Sequence, residues 1–87
     1  GIFHSAKAII RSTTSSRAYK EDDWEEPYPR NLIDVGWNGG GSVYCVKSGD
    51  TTDQVYLFDH ELGQIDESET MTISEFCEMV RGWDDEI

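Results

Sequence analysis

Two runs of sequence decide the fold of this chain: VGWNGGGSVYCV at residues 35–46 and QVYLFDHE at residues 54–61. Both are rich in β-branched and aromatic residues, and a short polar segment containing Gly49 and Asp50 separates them. This pattern predicts a β-hairpin. The first run begins in a glycine-dense loop, which permits positive φ and close approach of another segment. The second ends in Asp-His-Glu, which indicates either a chemical site or a solvated strand end.

Three short strands are predicted, at residues 32–35, 42–47 and 54–59. Side chains alternate along a strand, so Val43 and Cys45 share one face while Tyr44 lies on the other. The second and third strands are apolar on both faces over much of their length, which is typical of inner strands in a sheet covered on both sides. Three strands cannot provide that cover alone, and we therefore expect part of the fold to be missing from this chain.

Residues 5–17 are predicted to form a helix, with Ser5 as its N-terminal cap. Ala6, Ile9 and Ile10 recur at helical spacing and predict its buried side. The sequence then reads Thr-Thr-Ser-Ser, and because these residues are weak helix formers we expect the C-terminal end of the helix to be frayed.

Residues 20–30 are acidic, contain Pro27 and Pro29, and are predicted to form an exposed loop. Trp24 and Tyr28 are expected to anchor this loop onto the body of the domain. Tryptophan is also a common interface anchor. For Trp37, in the glycine loop, a buried structural position and an exposed binding position are equally consistent with the sequence.

The final helix is predicted from an apolar stripe at helical spacing, formed by Ile73, Phe76, Cys77 and Val80. Thr72 and Glu75 have the spacing of a capping box, and Met71 is placed to pack on the first turn as a hydrophobic staple. Gly82 is expected to end the helix in a left-handed conformation. The Trp83 side chain is then expected to fold back on the last turn.

The chain has 87 residues, enough for one small domain, and an unevenly distributed formal net charge of −11. Residues 1–20 carry four basic side chains and no acid, whereas residues 48–87 carry twelve acids and only Arg81 as a base. Such a surface repels nucleic-acid phosphates, which excludes direct nucleic-acid binding, and it attracts basic proteins. The alternative interpretation is that the acids only keep a small domain in solution.

The sequence contains no signal for export or membrane insertion, which predicts a cytoplasmic protein without a membrane span. There is no run of about 18 apolar residues and no signal-peptide pattern. Cys45 and Cys77 are expected to be buried free thiols rather than a disulfide, since nothing indicates an oxidising compartment. Two cysteines and two separated histidines also fall short of the four ligands of a structural zinc site.

The Asp59-His60-Glu61 run is the candidate for chemistry. Consecutive residues of an extended strand point to alternate faces, so the three side chains cannot all reach one ion without a turn. No serine or cysteine stands in a recognisable nucleophile motif with a histidine. We therefore expect no catalytic, cofactor or metal site, and we expect Asp59 and His60 to bond to nearby backbone at a strand end.

The glycine run at residues 39–41 has two interpretations. A phosphate-binding loop would be followed by a Lys-Ser/Thr pair and a helix, whereas this run is followed by a predicted strand. A tight turn that allows close strand packing is the better interpretation.

Taken together, three motifs resemble one family. Residues 36–41 (GWNGGG) precede a strand, residues 55–61 (VYLFDHE) end another, and residues 73–76 (ISEF) open the final helix. In this order they resemble the SUKH superfamily of Smi/Knr cell-wall-assembly regulators and bacterial immunity proteins. Its members typically show G-x-x-G-G-G/D ahead of a strand, a strand ending in W/F-D-H-E, and a terminal helix opening S-F-x-E-F.

One departure from the family pattern concerns the N-terminus. Family members usually begin with further helices and a strand that contain L-P-x-x-Y and N-G-G, for which this chain has no match. The chain thus resembles the C-terminal part of a SUKH domain, and residues 1–87 are expected to form a single, N-terminally incomplete domain. The implied fold is α+β, with a mostly antiparallel sheet flanked by helices.

The function that the resemblance implies is protein binding rather than catalysis. Bacterial members resemble antidotes that neutralise a cognate polymorphic toxin, and an acidic antidote suits a basic toxin such as a nuclease. The alternative is a regulatory scaffold in cell-wall assembly or signalling, as in the fungal relatives. The partner-binding surface is expected to include Trp37, Asn38, Asp50, Asp53, Asp59, His60, Glu61, Asp66, Glu67 and Glu69.

Overall fold

The structure, a computed structural model, describes residues 2–19 and 24–85, with side chains described through residue 82. Within this part of the chain the elements are α1 (Ala6–Ala18), β1 (Leu32–Trp37), β2 (Val43–Lys47), β3 (Gln54–Asp59), β4 (Gln64–Thr72) and α2 (Ile73–Asp85). The four strands form one antiparallel sheet in the order β1-β2-β3-β4, which confirms the predicted α+β class. Neither helix is long and apolar enough to cross a membrane.

The predicted hairpin is confirmed, because β2 and β3 pair in antiparallel fashion with Val43 opposite Phe58. β1 pairs with β2 and continues to Trp37, whereas the sequence predicted that β1 would end before Gly36. A register shift between Asp34 and Gly36 lets β1 absorb an extra residue as a β-bulge and keep pairing.

The fourth strand, β4, was not predicted from the sequence. It pairs with β3 at both of its ends, and the register shift between Val55 and Leu57 leaves residues 67–70 opposite Tyr56 alone. Few apolar residues are needed there, because β4 forms one edge of the sheet. Acidic side chains on an edge strand also discourage pairing with another chain, which accounts for a strand that lacks an apolar pattern.

Apolar clusters cover the sheet on both sides. On one face α2 packs over a core of Tyr44, Val55, Leu57 and Phe76. On the other, α1 and the segment before β1 cover a core of Trp24, Tyr28, Leu32, Cys45 and Phe58. The two-sided cover that the sequence predicted is therefore present. Within the described residues, two helices and the loop anchors supply that cover.

The N-terminal helix differs from the prediction at its C-terminal end. Ser5 caps it as expected, with the backbone N–H of Ala8 donating to Ser5 Oγ over 3.1 Å. The helix nevertheless continues to Ala18, because Ser12, Thr13 and Ser16 turn inward and bond to Asp34 of β1 rather than competing with the helix backbone. Ile10, predicted to be buried, is 65% exposed. Ala6, also predicted to be buried, is exposed, and Ile9 is half-buried, so the inward face of α1 consists largely of hydroxyl side chains with Ile9 beside them.

The C-terminal helix begins as predicted. The Thr72 backbone N–H donates to Glu75 Oε1 over 2.8 Å, and the Glu75 N–H donates to Thr72 Oγ1 over 3.1 Å, which closes the capping box. Phe76 is buried and Met71 packs against its cluster. The first turn is therefore fixed by a polar cap outside and an apolar contact inside.

Three predictions for α2 need correction or lie outside the description. Cys77 is exposed, because the helix turns Phe76 and Met79 toward the sheet instead. The helix does not end at Gly82 but continues to Asp85, since one interior glycine costs a helix only about 1 kcal/mol. The expectation for the Trp83 side chain lies outside the described side chains.

Candidate functional site

Two loops meet at one end of the sheet. In an antiparallel sheet the β1–β2 connection and the β3–β4 connection lie at the same end, so the glycine loop and the Asp-His-Glu turn become neighbours. Ser42 joins them: its Oγ lies 3.1 Å from His60 Nδ1 and accepts a 3.3 Å hydrogen bond from the His60 backbone N–H. Gly41 lies so close to the His60 ring that a Cβ there would collide with it. The glycine thus permits this approach.

The Asp-His-Glu run lies at the end of β3 and in the turn that follows it. The Asp59 carboxylate accepts hydrogen bonds from the backbone N–H groups of Glu61 and Leu62 at 2.8 and 3.3 Å, as expected of a strand end. The His60 side chain, expected to bond to backbone, contacts the Ser42 hydroxyl instead. Within the described residues no group of three His, Cys, Asp or Glu side chains is placed to hold a metal ion.

The Ser42–His60 contact was not foreseen from the sequence. A serine beside a histidine is the core of a nucleophilic dyad, which also requires an accessible hydroxyl and a third group that orients the base. Ser42 is buried, and its oxygen already accepts the His60 backbone N–H. The contact therefore joins the glycine loop to the β3–β4 turn.

The residues expected to bind a partner fall into separate regions. Trp37, Asn38, Asp59, His60 and Glu61 lie together at the glycine-loop end of the sheet. Asn38 shapes its loop there, because its Oδ1 accepts the Gly40 N–H over 2.8 Å. These residues form one continuous end of the molecule.

Asp50 and Asp53 lie at the opposite end, in the β2–β3 connection. The Asp50 carboxylate accepts the backbone N–H and hydroxyl of Thr52 at 2.9 and 2.8 Å and the Tyr56 hydroxyl at 3.2 Å. The bonds from Thr52 lower the pKa of Asp50 below its ordinary value. A strand of six residues is about 20 Å long, so one small contact surface cannot include both ends.

Asp66, Glu67 and Glu69 lie along the edge strand β4. The Asp66 carboxylate is engaged locally, because it accepts the backbone N–H and hydroxyl of Ser68 at 3.1 and 2.6 Å. Glu67 and Glu69 belong to the segment where the β3–β4 register shifts, and both are exposed. Of these three acids, Glu67 borders a groove.

That groove, hereafter the acidic groove, lies between the loop before β1 and the β3–β4 turn and has a volume of about 670 Å³. Its lining includes Glu25, Glu26, Pro27, Pro29, Leu62 and Glu67. Three carboxylates thus share the groove with Leu62, which is 60% exposed, and no basic side chain is found in the described lining. The sequence predicted an acidic loop here but did not assign Glu25, Glu26 or Leu62 to a site.

The wall of the acidic groove is fixed by Trp24, which the sequence correctly predicted as an anchor. Trp24 is 4% exposed, and its Nε1 donates to the His60 carbonyl oxygen over 2.7 Å. Gly63, with φ of +69°, lies flat against the indole, and a Cβ there would overlap the ring. Because the anchors flank Glu25 and Glu26, a closer reading of the sequence could have placed these acids on a fixed wall.

A second, more apolar cavity lies on the α1 side and is hereafter called the aromatic cavity. It has a volume of about 270 Å³, and its lining includes Ser16, Tyr19, Trp24, Tyr28, Phe58 and His60. Tyr19 and Trp24, Trp24 and Phe58, and Tyr28 and Phe58 form edge-to-face pairs with ring centroids 5.6, 5.4 and 4.8 Å apart. The cavity is therefore bounded by rings at steep angles to one another.

Beneath the aromatic cavity lies Asp34, which is fully buried on β1. Its carboxylate accepts hydrogen bonds from Ser12 at 2.7 Å, from Ser16 at 2.6 Å and from the Tyr28 hydroxyl. Burial, the hydrogen bond to Asp34 and the nearby negative charge raise the pKa of Tyr28 above its ordinary value. Burial and the Asp34 charge likewise raise the pKa of Cys45 to about 12.

The two cavities are chemically suited to binding other molecules. The acidic groove contains carboxylates and an exposed leucine, and the aromatic cavity is lined by aromatic rings. The hydroxyl groups of Ser12, Ser16 and Tyr28 donate hydrogen bonds to the Asp34 carboxylate. The raised pKa of Cys45 keeps its thiol protonated. Comparison with protein-family models, with curated proteins and with solved structures finds no match to this chain.

Proposed function

We propose that this chain is a protein-binding module whose acidic groove receives a basic partner. The observation that carries the proposal is that three carboxylates, Glu25, Glu26 and Glu67, line the same groove as the exposed Leu62, with no basic side chain in the part of the lining that the structure describes. Carboxylates pair with arginine or lysine, and a leucine among them supplies apolar area that an ion pair alone lacks.

The wall of the acidic groove is already ordered before any partner binds, and this supports the proposal. Pro27 and Pro29 restrict the backbone of one wall, and the buried Trp24 fixes it to the β3–β4 turn. A wall that is already ordered loses little conformational entropy on binding. The net charge of −11 adds long-range attraction that speeds encounter with a basic protein.

The partner class follows from the resemblance to the SUKH superfamily. Two of the three motifs, the glycine loop and the end of β3, meet at one end of the sheet, whereas the third opens α2 at the opposite end, where the Ile73 N–H donates to the Asp53 carbonyl oxygen. The proposal is therefore an immunity role in the cytoplasm, without catalysis, in which the chain neutralises a cognate toxin. A nuclease toxin fits best, because its nucleic-acid site is positively charged.

The experiment uses the protein encoded beside this chain in its genome. It is expressed alone and together with the chain, and cell growth is recorded. We expect toxicity alone, rescue on co-expression, and a stable complex of the two purified proteins. A harmless and unbound neighbour would contradict the proposed immunity role.

Charge-reversal variants locate the surface. Glu26→Lys and Glu67→Lys in the acidic groove should each weaken the complex roughly tenfold, equivalent to about 1.4 kcal/mol. Glu78→Lys is the matched control, because Glu78 is exposed on α2, across the sheet, and its partner within the described side chains is its helix neighbour Arg81. Equal losses for all three variants would mean that net charge, and not the groove, determines binding.

A further inference from the structure

The aromatic cavity combines two features that the proposed partner surface does not use. The first is its set of rings. Trp24 and Phe58 meet at an interplanar angle of 69°, and Tyr28 and Phe58 meet at 74°. Trp24, Tyr28 and Phe58 are 4%, 3% and 2% exposed, whereas Tyr19 is 48% exposed, so the Tyr19 ring is the one most open to a ligand in the cavity. The face of an aromatic ring carries partial negative charge.

The second feature is the buried carboxylate of Asp34. Ser16 and Tyr28 both line the aromatic cavity, and both donate hydrogen bonds to that carboxylate. In the part of the chain that the structure describes, the single salt bridge is Arg81–Glu78, so Asp34 has no cationic partner there. A buried charge balanced only by hydroxyl groups is costly, and its field reaches through those hydroxyl groups into the cavity.

We propose that the aromatic cavity binds a small organic cation that carries a methylated ammonium group. The methyl groups match the apolar lining, and the positive charge interacts with the ring faces and with the Asp34 field. At about 270 Å³ the cavity is smaller than the usual drug-sized site, which suits a head group rather than an extended molecule. The site does not depend on the proposed toxin partner.

Anionic ligands do not fit this site. A phosphate or carboxylate would enter a cavity lined by ring faces, next to a buried carboxylate, in a chain of net charge −11. Each of these opposes an anion. The described lining holds His60 as its one ionisable side chain other than the tyrosines, and His60 is already bonded to Ser42.

The test uses two ligands of equal shape. Choline and dimethylbutanol differ only in that a carbon replaces the charged nitrogen. Binding to the purified chain is followed by NMR, with the Trp24 indole N–H as the reporter, and by calorimetry. We expect choline to bind about tenfold more tightly than dimethylbutanol, because the rings and Asp34 act on the charge. Equal affinities, or no binding of either ligand, would overturn the proposal.

Variants of Tyr19 test the ring faces. Tyr19 lines the cavity and is about half exposed, so its replacement leaves the buried core in place. Tyr19→Phe keeps the aromatic ring and should retain choline binding. Tyr19→Leu removes the ring but stays apolar, and should therefore weaken choline binding about tenfold. If Tyr19→Leu binds choline as tightly as the native chain, the cavity is not the site.

Asp34→Asn tests the carboxylate. It keeps the shape of the side chain and should reduce the preference for choline over dimethylbutanol to about twofold or less. The variant is used only if its NMR spectrum shows a folded chain, and the Tyr19 pair remains decisive if it does not. An unchanged preference in folded Asp34→Asn would show that the buried charge plays no part.

Discussion

The two faces of the sheet are built on different principles. The α2 face is an apolar contact among Tyr44, Val55, Leu57 and Phe76, and the cap of its helix lies outside the contact. The α1 face also has an apolar cluster, but its helix meets the sheet through hydroxyl groups bonded to the buried Asp34. Both cavities border the α1 face and its loop. Both cavities thus occur where the packing is polar and built from loops, whereas the α2 face is packed by apolar side chains.

The largest expected effect concerns the apolar face. Phe76→Ala should destabilise the chain by about 3–5 kcal/mol, because a buried ring is lost and a cavity remains. Urea denaturation monitored by circular dichroism measures this. Leu62→Ala, at a residue that is 60% exposed, is the control and should change stability by about 0.5 kcal/mol or less. A loss below about 1 kcal/mol for Phe76→Ala would mean that α2 contributes little.

Two glycines test how tightly the loop side is assembled. Gly63 and Gly49 have φ of +69° and +81°, so alanine at either site should cost about 1–2 kcal/mol of backbone strain. Only at Gly63 would the new Cβ overlap Trp24, which should add about 1–3 kcal/mol, whereas Gly49 faces open space. Denaturation of both variants gives the difference, and tryptophan fluorescence reports displacement of the indole. Equal costs would contradict close Gly63–Trp24 packing.

Removal of single hydroxyl groups tests the polar network of the α1 face. Tyr28→Phe leaves the buried Asp34 carboxylate with one hydrogen bond fewer and should cost about 1–3 kcal/mol. Tyr56→Phe makes the same chemical change at an exposed hydroxyl that bonds to Asp50, and should cost about 0.5 kcal/mol or less. Thermal or urea unfolding of the pair measures this. If the two losses agree, burial of the Asp34 network has no energetic consequence.

The cap of α2 is expected to have a smaller effect. Thr72→Ala should cost about 1 kcal/mol, because the Glu75 N–H loses its acceptor. Ser74→Ala, at an exposed site in the same turn, is the control for helix propensity. Urea unfolding of both variants gives the comparison. A Thr72→Ala variant as stable as Ser74→Ala would show that apolar packing alone fixes this helix end.

The smallest effect is a pH dependence at the same cap. Hydrogen bonds from the Thr72 backbone N–H and hydroxyl lower the pKa of Glu75 below its ordinary value. A carboxyl whose pKa is lower in the folded chain contributes stability above its unfolded pKa, roughly 4.3, and loses it as the pH falls through the folded value. Carboxyl ¹³C NMR should give a lower midpoint for Glu75 in the folded chain than in urea. Equal midpoints would contradict the cap geometry.

The sequence predicted the apolar face better than the polar one, for physical reasons. The capping box and the buried Phe76 follow from local rules. Thr13 and Ser16, in the Thr-Thr-Ser-Ser run of α1, were interpreted as helix-weakening, because nothing local indicates that Asp34 will bond to them. The strand β4 was missed because an edge strand needs little apolar pattern.

The candidate site shows the same division. The Asp59 turn was foreseen, since it depends on adjacent residues. Trp24 was foreseen as an anchor because a large aromatic side chain stands in an acidic loop, but its partner His60, which is 36 residues away in sequence, was not. The groove around Leu62 was not foreseen, because it requires segments that are distant in sequence to be placed side by side. The separation of Asp50 from Asp59 by the length of the sheet likewise follows from the pairing of the strands. Composition identified the charge but not where it is concentrated.

The strand order has a consequence for how quickly the chain folds. Because β1, β2, β3 and β4 are neighbours in space in the same order as in sequence, the sheet can grow by closing short loops, which is the fast route for a β-rich chain. The attachment of α1 is different, since Ser12 and Asp34 are 22 residues apart and their contact requires a charged group to leave water. The meander can therefore assemble early, while the face that carries both cavities closes in the slower step.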